Sequence, residues 1–242
     1  MKIQSNKLFE YIEFIKNLNL FNNILDEDIL NIIDSVKIKK FQKGELLLCS
    51  SNSLFGVLIS YEGNIKLAKI NEHGDEMILG LFQKSGVIFP MYFSEHYDAT
   101  VEFLSDSTLL CFPESLINNL VSKNPIFAKN IIDILADNIQ ALMQIAVAWR
   151  LKNTQEKLGW FLASTNSNNF GKLPFSKSLI ASYLGMKSES LSRTLKKLGN
   201  EGIYVENNII KQKTGKELCK YCDKDIGVNC TFYGSKKDCL LF

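Results

Sequence analysis

The chain has 242 residues, a formal net charge of +2 and 46% hydrophobic residues. This composition is typical of a folded globular protein and excludes whole-chain disorder and collagen-like repeats. No apolar run approaches the roughly 20 residues that cross a bilayer, and residues 1–7 contain no apolar signal core. We therefore expect a cytoplasmic protein without a membrane partner.

The charge is unevenly distributed along the chain. Residues 1–149 carry a net charge of −6, whereas residues 150–216 have 12 basic and 4 acidic side chains, a net charge of +8. A concentrated basic segment favours a polyanion partner, because Lys and Arg that neutralise phosphates release counterions. A solvated basic surface is the alternative.

The first half of the chain changes its hydrophobic pattern near residue 36. Residues 5–35 predict one or two short helices, and residues 36–112 have short apolar runs separated by turns. Glycines mark the turns: Gly44, Gly63, Gly74 and Gly86. The runs between them have the length and composition of strands: 46–48, 56–59, 65–68 and 77–79. Evenly spaced short strands indicate a β-sandwich or barrel.

A long helix with two apolar strips is predicted after Pro125. One strip is a continuous a/d seam: Ile132, Leu135, Ile139, Leu142, Ala146 and Trp149. The second, adjacent strip comprises Ile131, Ile134, Ile145 and Val147. Two apolar faces need two partners, so we predict the β-domain on one side and the same helix of a second subunit on the other. A helix buried within one core is the alternative.

Two short helices joined by a tight turn follow a polar loop predicted over residues 164–172. Ser176 is expected to cap the first helix, Gly185 forms the turn, and Ser188 is expected to cap the second helix. Leu191, with the apolar residues that follow it, anchors the second helix. The opposite face presents polar side chains: Glu189, Ser190, Ser192, Arg193, Lys196 and Lys197.

Residues 203–211 contain two β-rich runs around a polar turn, which predicts a hairpin. A helix-turn-helix followed by a hairpin is a winged helix. Together with the basic charge, this pattern predicts DNA binding. A winged helix that serves only as a protein-interaction module is the alternative.

Six cysteines fall into two groups. Cys49 and Cys111 lie within apolar stretches and are expected to be small core residues. The other four form the pattern C-x2-C-x7-C-x8-C: Cys219, Cys222, Cys230 and Cys239. In a cytoplasmic chain, this spacing favours a metal site over a disulfide framework. An iron-sulfur cluster, zinc and a thiol/disulfide switch remain open, although zinc ribbons usually pair two C-x2-C motifs.

The order of these segments resembles the Crp/Fnr superfamily of bacterial transcription regulators over residues 10–213. Residues 180–195, I-A-S-Y-L-G-M-K-S-E-S-L-S-R-T-L, are similar to the family signature I-A-x-x-L-G-x-x-x-E-T-[IV]-S-R-x-L. The resemblance implies an α+β chain with an N-terminal cyclic-nucleotide-binding-like β-roll (jelly roll), a long dimerisation helix and a C-terminal winged helix-turn-helix. We place the segments at residues 1–122 (β-roll sensor), 123–150 (dimerisation helix), 151–215 (DNA-binding domain) and 216–242 (cysteine-rich tail).

The resemblance also implies how the protein meets DNA. Glu189, Ser192 and Arg193 look like the family's base-reading trio, and their spacing places them on one helical face. The lysines around them are expected to hold phosphates: Lys177, Lys187, Lys196 and Lys197. The implied partners are a palindromic operator with half-sites near TTGAT or TTGAC, a second copy of the chain, and RNA polymerase.

The expected ligands differ from those of the cyclic AMP receptors in this family. Such receptors carry an Arg in the phosphate-binding segment, whereas residues 85–100 contain neither Arg nor Lys and include Glu95 and Asp98. A phosphate would meet carboxylates there, so we expect no cyclic AMP. His96 is a candidate haem ligand, although aromatic and Met residues beside it are typical of a core.

The cysteine-rich tail resembles that of family members whose iron-sulfur cluster lies at the carboxyl end. We predict a [4Fe-4S] cluster on its four cysteines, with zinc as the second choice. DNA affinity would then depend on oxygen, nitric oxide or redox state. An alternative is the same regulator with structural zinc and a small-molecule or haem effector in the β-roll.

Functions of other classes have weaker support. The chain has two histidines and no G-x-S-x-G, P-loop or His-Glu-x-x-His motif, so we expect no enzyme. A C-x2-C redox enzyme would need its motif at the start of a helix in a β-α-β unit, whereas this motif lies in a polar tail. A zinc-stabilised protein-interaction adaptor is the non-enzymatic rival.

Overall fold

The computed structural model describes residues 5–49, 55–90, 99–169, 171–173 and 175–222. The chain divides into two compact units, residues 1–140 and 141–242. The helices are α1 Ser5–Lys16, α2 Asp26–Ile33, α3 Glu114–Lys123, α4 Pro125–Leu151, α5 Thr154–Asn169, α6 Lys177–Tyr183 and α7 Ser188–Asn200. The strands are β1 Lys37–Phe41, β2 Leu46–Cys49, β3 Phe55–Glu62, β4 Ile65–Ile70, β5 Glu76–Phe82, β6 Val87–Ile88, β7 Ala99–Phe103, β8 Ser107–Pro113, β9 Ile203–Glu206 and β10 Ile209–Gln212. Short 3-10 helices lie at Asn19–Phe21 and Glu217–Tyr221.

The first unit contains two four-stranded sheets with the strand orders β1-β8-β3-β6 and β2-β7-β4-β5. Their described pairings are antiparallel. Side chains alternate along β7, where Ala99, Val101 and Phe103 are buried and the residues between them are half-buried. This period of two directs one face of the strand into a core shared with β3 and β8.

The helices of the first unit pack on a separate hydrophobic cluster. Phe21 lies against Phe112 of β8 and Phe127 of α4, with ring centroids 5.7 and 5.5 Å away. Buried Asn130 adds a polar tie, because its Nδ2 donates to the carbonyl oxygens of Leu20 and Asn22 at 3.1 and 2.8 Å. The start of α4 is therefore fixed to the amino-terminal helices.

The second unit contains the end of α4, α5, α6, α7 and the β9-β10 hairpin. Ser176 caps α6 as expected, since its Oγ accepts a hydrogen bond from the backbone N of Leu179 at 3.3 Å. The hairpin turn consists of Asn207 and Asn208, both with positive φ, as a two-residue turn between twisted strands requires. The predicted β-rich amino-terminal domain, long helix and carboxyl-terminal helix-turn-helix are confirmed.

Two local predictions were wrong. The loop expected over residues 164–172 is helical through Asn169, because Ala163 and Thr165 on α5 are buried and continue its packed side. Ser188 does not cap α7; it is the first helical residue, and Lys187 occupies the cap position with an extended backbone. Tertiary packing outweighs the local turn signals at the first site.

Gly63, in the turn between β3 and β4, supports a testable prediction about stability. Its φ is +104°, and an added Cβ would lie 2.0 Å from Ser107 Oγ. Gly63→Ala should therefore combine backbone strain with a steric clash and lower the free energy of unfolding by about 3 kcal/mol.

The matched control is Gly74→Ala in the turn before β5. Gly74 has a φ of +84° with no heavy atom within 4 Å of an added Cβ, so only backbone strain of about 1–2 kcal/mol is expected. Urea unfolding of both variants measures the difference. If Gly63→Ala and Gly74→Ala lower the free energy of unfolding equally, the predicted clash with Ser107 does not contribute.

Candidate nucleic-acid interface

The core of the second unit sets the orientation of α7. Leu191 and Leu198 are 2% and 0% exposed, and Thr194 between them is 5% exposed. Thr194 Oγ1 donates to the carbonyl oxygen of Ser190 at 2.7 Å, which satisfies its hydroxyl inside the helix. Gly185, with a φ of +63°, forms the turn that leads from α6 into α7. One side of α7 is thus buried, and its opposite side faces solvent.

The exposed side of α7 carries the residues expected to read bases. Glu189, Ser192 and Arg193 are exposed, while Ser190 is half-buried and contributes less to this surface. Arg193 Nε donates to the carbonyl oxygen of Glu189 at 3.4 Å, which ties the guanidinium to the preceding turn. A guanidinium on an exposed helix is suited to bidentate hydrogen bonds with guanine.

Lysines surround this exposed side of α7. Lys177, Lys187, Lys196 and Lys197 are all exposed. A groove of about 630 Å³ runs between α7 and the hairpin, and its lining includes Lys177, Ser192 and Lys196. Cationic side chains along such a groove can hold phosphates and position a duplex.

The C-x2-C motif lies at the end of the 3-10 helix Glu217–Tyr221. Cys222 is the carboxyl-terminal cap of this helix, and its backbone N donates to the carbonyl oxygen of Cys219 at 3.1 Å. Because side chains three residues apart eclipse one another in a 3-10 helix, this turn favours both thiols on the same side. Both cysteines are half-buried.

The 3-10 helix is attached to the core of the second unit. Leu218 is 3% exposed in the core that also contains Leu191 and Leu198. The backbone N of Leu218 donates a hydrogen bond to Gln212 Oε1 of β10 at 2.8 Å. The first half of the cysteine motif is therefore part of the folded second unit, which also contains α7.

The remaining cysteines differ in setting. Cys49 and Cys111 are buried, as expected, and burial raises the pKa of each thiol to about 12. Cys230 and Cys239 lie outside the described residues. Within the described part of the chain, no three His, Cys, Asp or Glu side chains come together as metal ligands.

Helix α4 has two adjacent apolar strips, one buried and one exposed. Ile131 is buried in the first unit and Ile145 in the second, at 3% and 8% exposure. On the neighbouring strip, Ile132, Ile139 and Leu142 are 64%, 57% and 50% exposed. These three belong to the expected dimer seam.

The other seam residues divide between the two sides of α4. Ala146 is exposed, whereas Leu135 and Trp149 are half-buried. Trp149 Nε1 donates to the carbonyl oxygen of Tyr183 at 3.3 Å, so this side chain is held by α6. Val147, expected on the second strip, is 48% exposed and is not packed with Ile131 and Ile145.

Length and composition alone would also allow α4 to cross a membrane. An 18-residue window of this helix has a mean hydropathy of 1.4, and 17% of the window is buried. However, Phe127 and Ile131 pack into one protein core, and Ala148 packs into another. An apolar strip on a helix that is packed on its other side is typical of helix pairing.

A cavity of about 440 Å³ lies in the first unit between the amino-terminal segment, the β5-β6 turn and α4. Asn17, Asn19, Asp137 and Asn138 supply polar groups to its lining. No described Lys or Arg lines this cavity, so it is poorly suited to a phosphate. Residues 91–98, which include His96, lie outside the described residues, and the expectations about cyclic AMP and haem stay predictions.

Family models match both halves of the chain. Residues 38–124 match the cyclic nucleotide-binding domain, and residues 150–219 match the Crp-like helix-turn-helix domain. The second match covers α5, α6, α7, the hairpin and the beginning of the cysteine motif.

Similar proteins are found among regulators and among solved structures. The chain is 26% identical to electron transport regulator A of Shewanella oneidensis, covering 79% of this chain and 78% of that protein. It is 26% identical to the fumarate and nitrate reduction regulatory protein of Escherichia coli K12, covering 76% and 81%. The structure of FixK2 from Bradyrhizobium japonicum matches with a TM-score of 0.69 at 18% identity, covering 78% and 98%.

The exposed side of α4 leads to a prediction about assembly. Ile139→Lys places a charge in the apolar seam, where burial without a partner costs several kcal/mol. The variant should sediment as a monomer at micromolar concentration, whereas the unchanged protein should sediment as a dimer.

Ala141→Lys is the matched control on the same helix. Ala141 is exposed and lies about 160° around the helix from Ile139 at 3.6 residues per turn, so its lysine should leave the dimer intact. Sedimentation velocity distinguishes the two variants. A dimeric Ile139→Lys protein would contradict the assignment of this seam.

Proposed function

This chain is a DNA-binding transcription regulator of the Crp/Fnr type, and we propose that an iron-sulfur cluster on its carboxyl-terminal cysteines controls its affinity for DNA. Regulators of this type are transcription factors rather than enzymes and form homodimers. The observation that carries the proposal is the attachment of the C-x2-C motif to the unit that contains α7.

The proposed base contacts follow from the chemistry of the exposed side of α7. Arg193 donates two hydrogen bonds to O6 and N7 of guanine, and Glu189 accepts from a cytosine amino group. Ser192 can donate or accept. A dimer presents two copies of this surface, so the proposed operator is a palindrome. Contact with RNA polymerase would follow operator binding.

The proposed phosphate contacts have a different effect. Lys177, Lys187, Lys196 and Lys197 contribute charge that acts on every duplex alike. These lysines therefore determine how tightly the protein binds DNA in general, whereas Arg193 determines which sequence it prefers.

Arg193→Ala and Lys197→Ala separate these two roles. Arg193→Ala should weaken binding to the preferred duplex by about 1–3 kcal/mol more than binding to a random duplex. Lys197→Ala should weaken both duplexes alike and reduce the salt dependence by about one unit. Fluorescence anisotropy with both duplexes at several salt concentrations measures this. An equal loss on both duplexes for Arg193→Ala would contradict the base-reading role.

The donor set of the tail fits an iron-sulfur cluster. Four thiolates are the usual ligands of a [4Fe-4S] cluster, and the 3-10 turn at Cys219 and Cys222 suits two ligands to one centre. When bound, such a cluster supplies sensitivity to oxygen, nitric oxide or redox state. The chain itself holds the first two ligands against the DNA-binding unit through Leu218.

The names of the relatives support this sensory role. One is a regulator of electron transport and the other a regulator of fumarate and nitrate reduction. Those names describe the relatives themselves, and for this chain we propose that the signal is likewise oxygen or redox state. Because its proposed target is operator DNA, we propose that the protein acts in the cytoplasm.

Metal analysis of anaerobically purified protein tests the cluster. We expect about four iron and four sulfide per subunit and a broad absorption band that bleaches in air. Cys219→Ser should lower the iron content, whereas Cys49→Ala should not, because the Cys49 thiol is buried in the β-domain. Stoichiometric zinc without colour would overturn the cluster and favour a structural zinc site with an effector in the first unit.

A further inference from the structure

The ring of Tyr221, next to Cys222 in the chain, lies directly over α5. A Cβ added to Gly159 would come within 2.4 Å of Cγ and Cδ1 of this ring. The ring therefore occupies space that only a glycine at this position leaves open. Gly159 lies inside a helix, where alanine would otherwise be favoured by about 1 kcal/mol.

The hydroxyl of Tyr221 connects this contact to the end of α7. It donates to Glu201 Oε2 at 2.6 Å and accepts from Gln155 Nε2 at 3.0 Å. Gln155 Nε2 also donates to Glu201 Oε1 at 2.6 Å, and Lys220 forms an ion pair with Glu201. One carboxylate thus receives donors from α5 and from both residues that precede Cys222.

Glu201 is the carboxyl-terminal cap of α7. Its backbone N donates to the carbonyl oxygen of Leu198 at 3.0 Å, and the N of Gly202 donates to that of Gly199 at 3.0 Å. Any force on the Glu201 side chain therefore acts on the last turn of the helix that presents Arg193. We call Gln155, Gly159, Glu201, Lys220 and Tyr221 the Tyr221 latch.

Charge keeps the latch closed near neutral pH. The hydrogen bond from Lys220, followed by that from Tyr221, lowers the pKa of Glu201 below its ordinary value, so the carboxylate remains an acceptor.

We propose that Tyr221 is a positioning residue that transmits the state of the cysteine tail to the end of α7. The cysteine tail begins beside Tyr221, and the latch joins that point to the cap of α7 through one side chain. A change in the path of the chain at Cys222 would shift the Tyr221 ring from Gly159 and release Glu201. This inference rests on the proposed function only in taking the cluster as the signal.

Gly159 and Tyr221 fit together, but they are not the only contacts that attach the 3-10 helix. The 3-10 helix has further anchors, since Leu218 is buried and Thr214 N donates to Glu217 Oε1 at 2.7 Å. Loss of the tyrosine contact therefore should leave the 3-10 helix attached. The latch serves the orientation of α7 rather than the fold of the tail.

Two variants open the latch by different routes. Tyr221→Phe retains the ring and removes the hydroxyl, and Gly159→Ala adds a Cβ that displaces the ring while favouring the helix. Tyr11→Phe is the matched control, because Tyr11 is a buried tyrosine of the first unit. Each protein is measured metal-free and after anaerobic reconstitution with iron and sulfide, on a palindromic duplex selected with the unchanged protein.

We expect the unchanged protein and Tyr11→Phe to bind the duplex with affinities that differ about 5- to 150-fold between the two states. Tyr221→Phe and Gly159→Ala should keep the same iron content and absorption spectrum, and this ratio should fall towards one. Variants that keep both the iron and the full ratio would overturn the proposal.

Hydrogen exchange distinguishes failure of the latch from failure of the proposed function. If the unchanged protein binds DNA equally in both states, the cluster does not control affinity and the proposed function is wrong. The existence of the latch is then tested in the metal-free protein. The amides of Glu201 and Gly202 should exchange at least ~5-fold faster in Tyr221→Phe than in the unchanged protein. Unchanged exchange at these amides would overturn the latch itself.

Discussion

Leu191 and Leu198 bury one side of α7 in the core of the second unit, and this contact determines which side chains the helix presents to solvent. Arg193 is exposed because Leu191, Thr194 and Leu198 occupy the buried side of the helix and Arg193 lies on the opposite side. The hairpin residues Ile203 and Ile210 belong to the same core, as does Leu218 of the 3-10 helix. The surface of α7 proposed to read DNA, the hairpin and the start of the cysteine tail are therefore packed on the same hydrophobic core.

Helix α4 carries the apolar surface that the proposed dimer would use. A palindromic operator requires two copies of α7, and the exposed strip that includes Ile132, Ile139 and Leu142 offers an apolar surface for a second copy. The adjacent strip of α4, which includes Ile131 and Ile145, is packed into protein, so the exposed strip gains most from burial. In the proposed complex, dimerisation would increase DNA affinity without any additional base contact, because both half-sites are bound together.

Burial distinguishes the two groups of cysteines in this chain. The thiols of Cys49 and Cys111 are buried among apolar side chains, which raises the pKa of each to about 12 and disfavours the thiolate that metals require. Cys219 and Cys222 are half-buried at the end of a short helix. Their position beside the Tyr221 latch would connect the proposed cluster to the end of α7.

Local sequence periodicity determined the main elements of this protein. Strand alternation, the seam of α4 and the spacing around Gly185 depend on residues close together in the chain, so the β-domain, the long helix and the helix-turn-helix were predictable. The exposed positions of Glu189, Ser192 and Arg193 followed from the same helical period.

Only the tertiary structure decided the contacts between elements that are distant in sequence. The extension of α5 to Asn169 depends on the burial of Thr165, and the position of Trp149 depends on the carbonyl of Tyr183. Likewise, nothing in the sequence around Gly159 indicates that its missing side chain makes room for Tyr221. Such contacts arise from packing, which brings together residues that local propensity treats as independent.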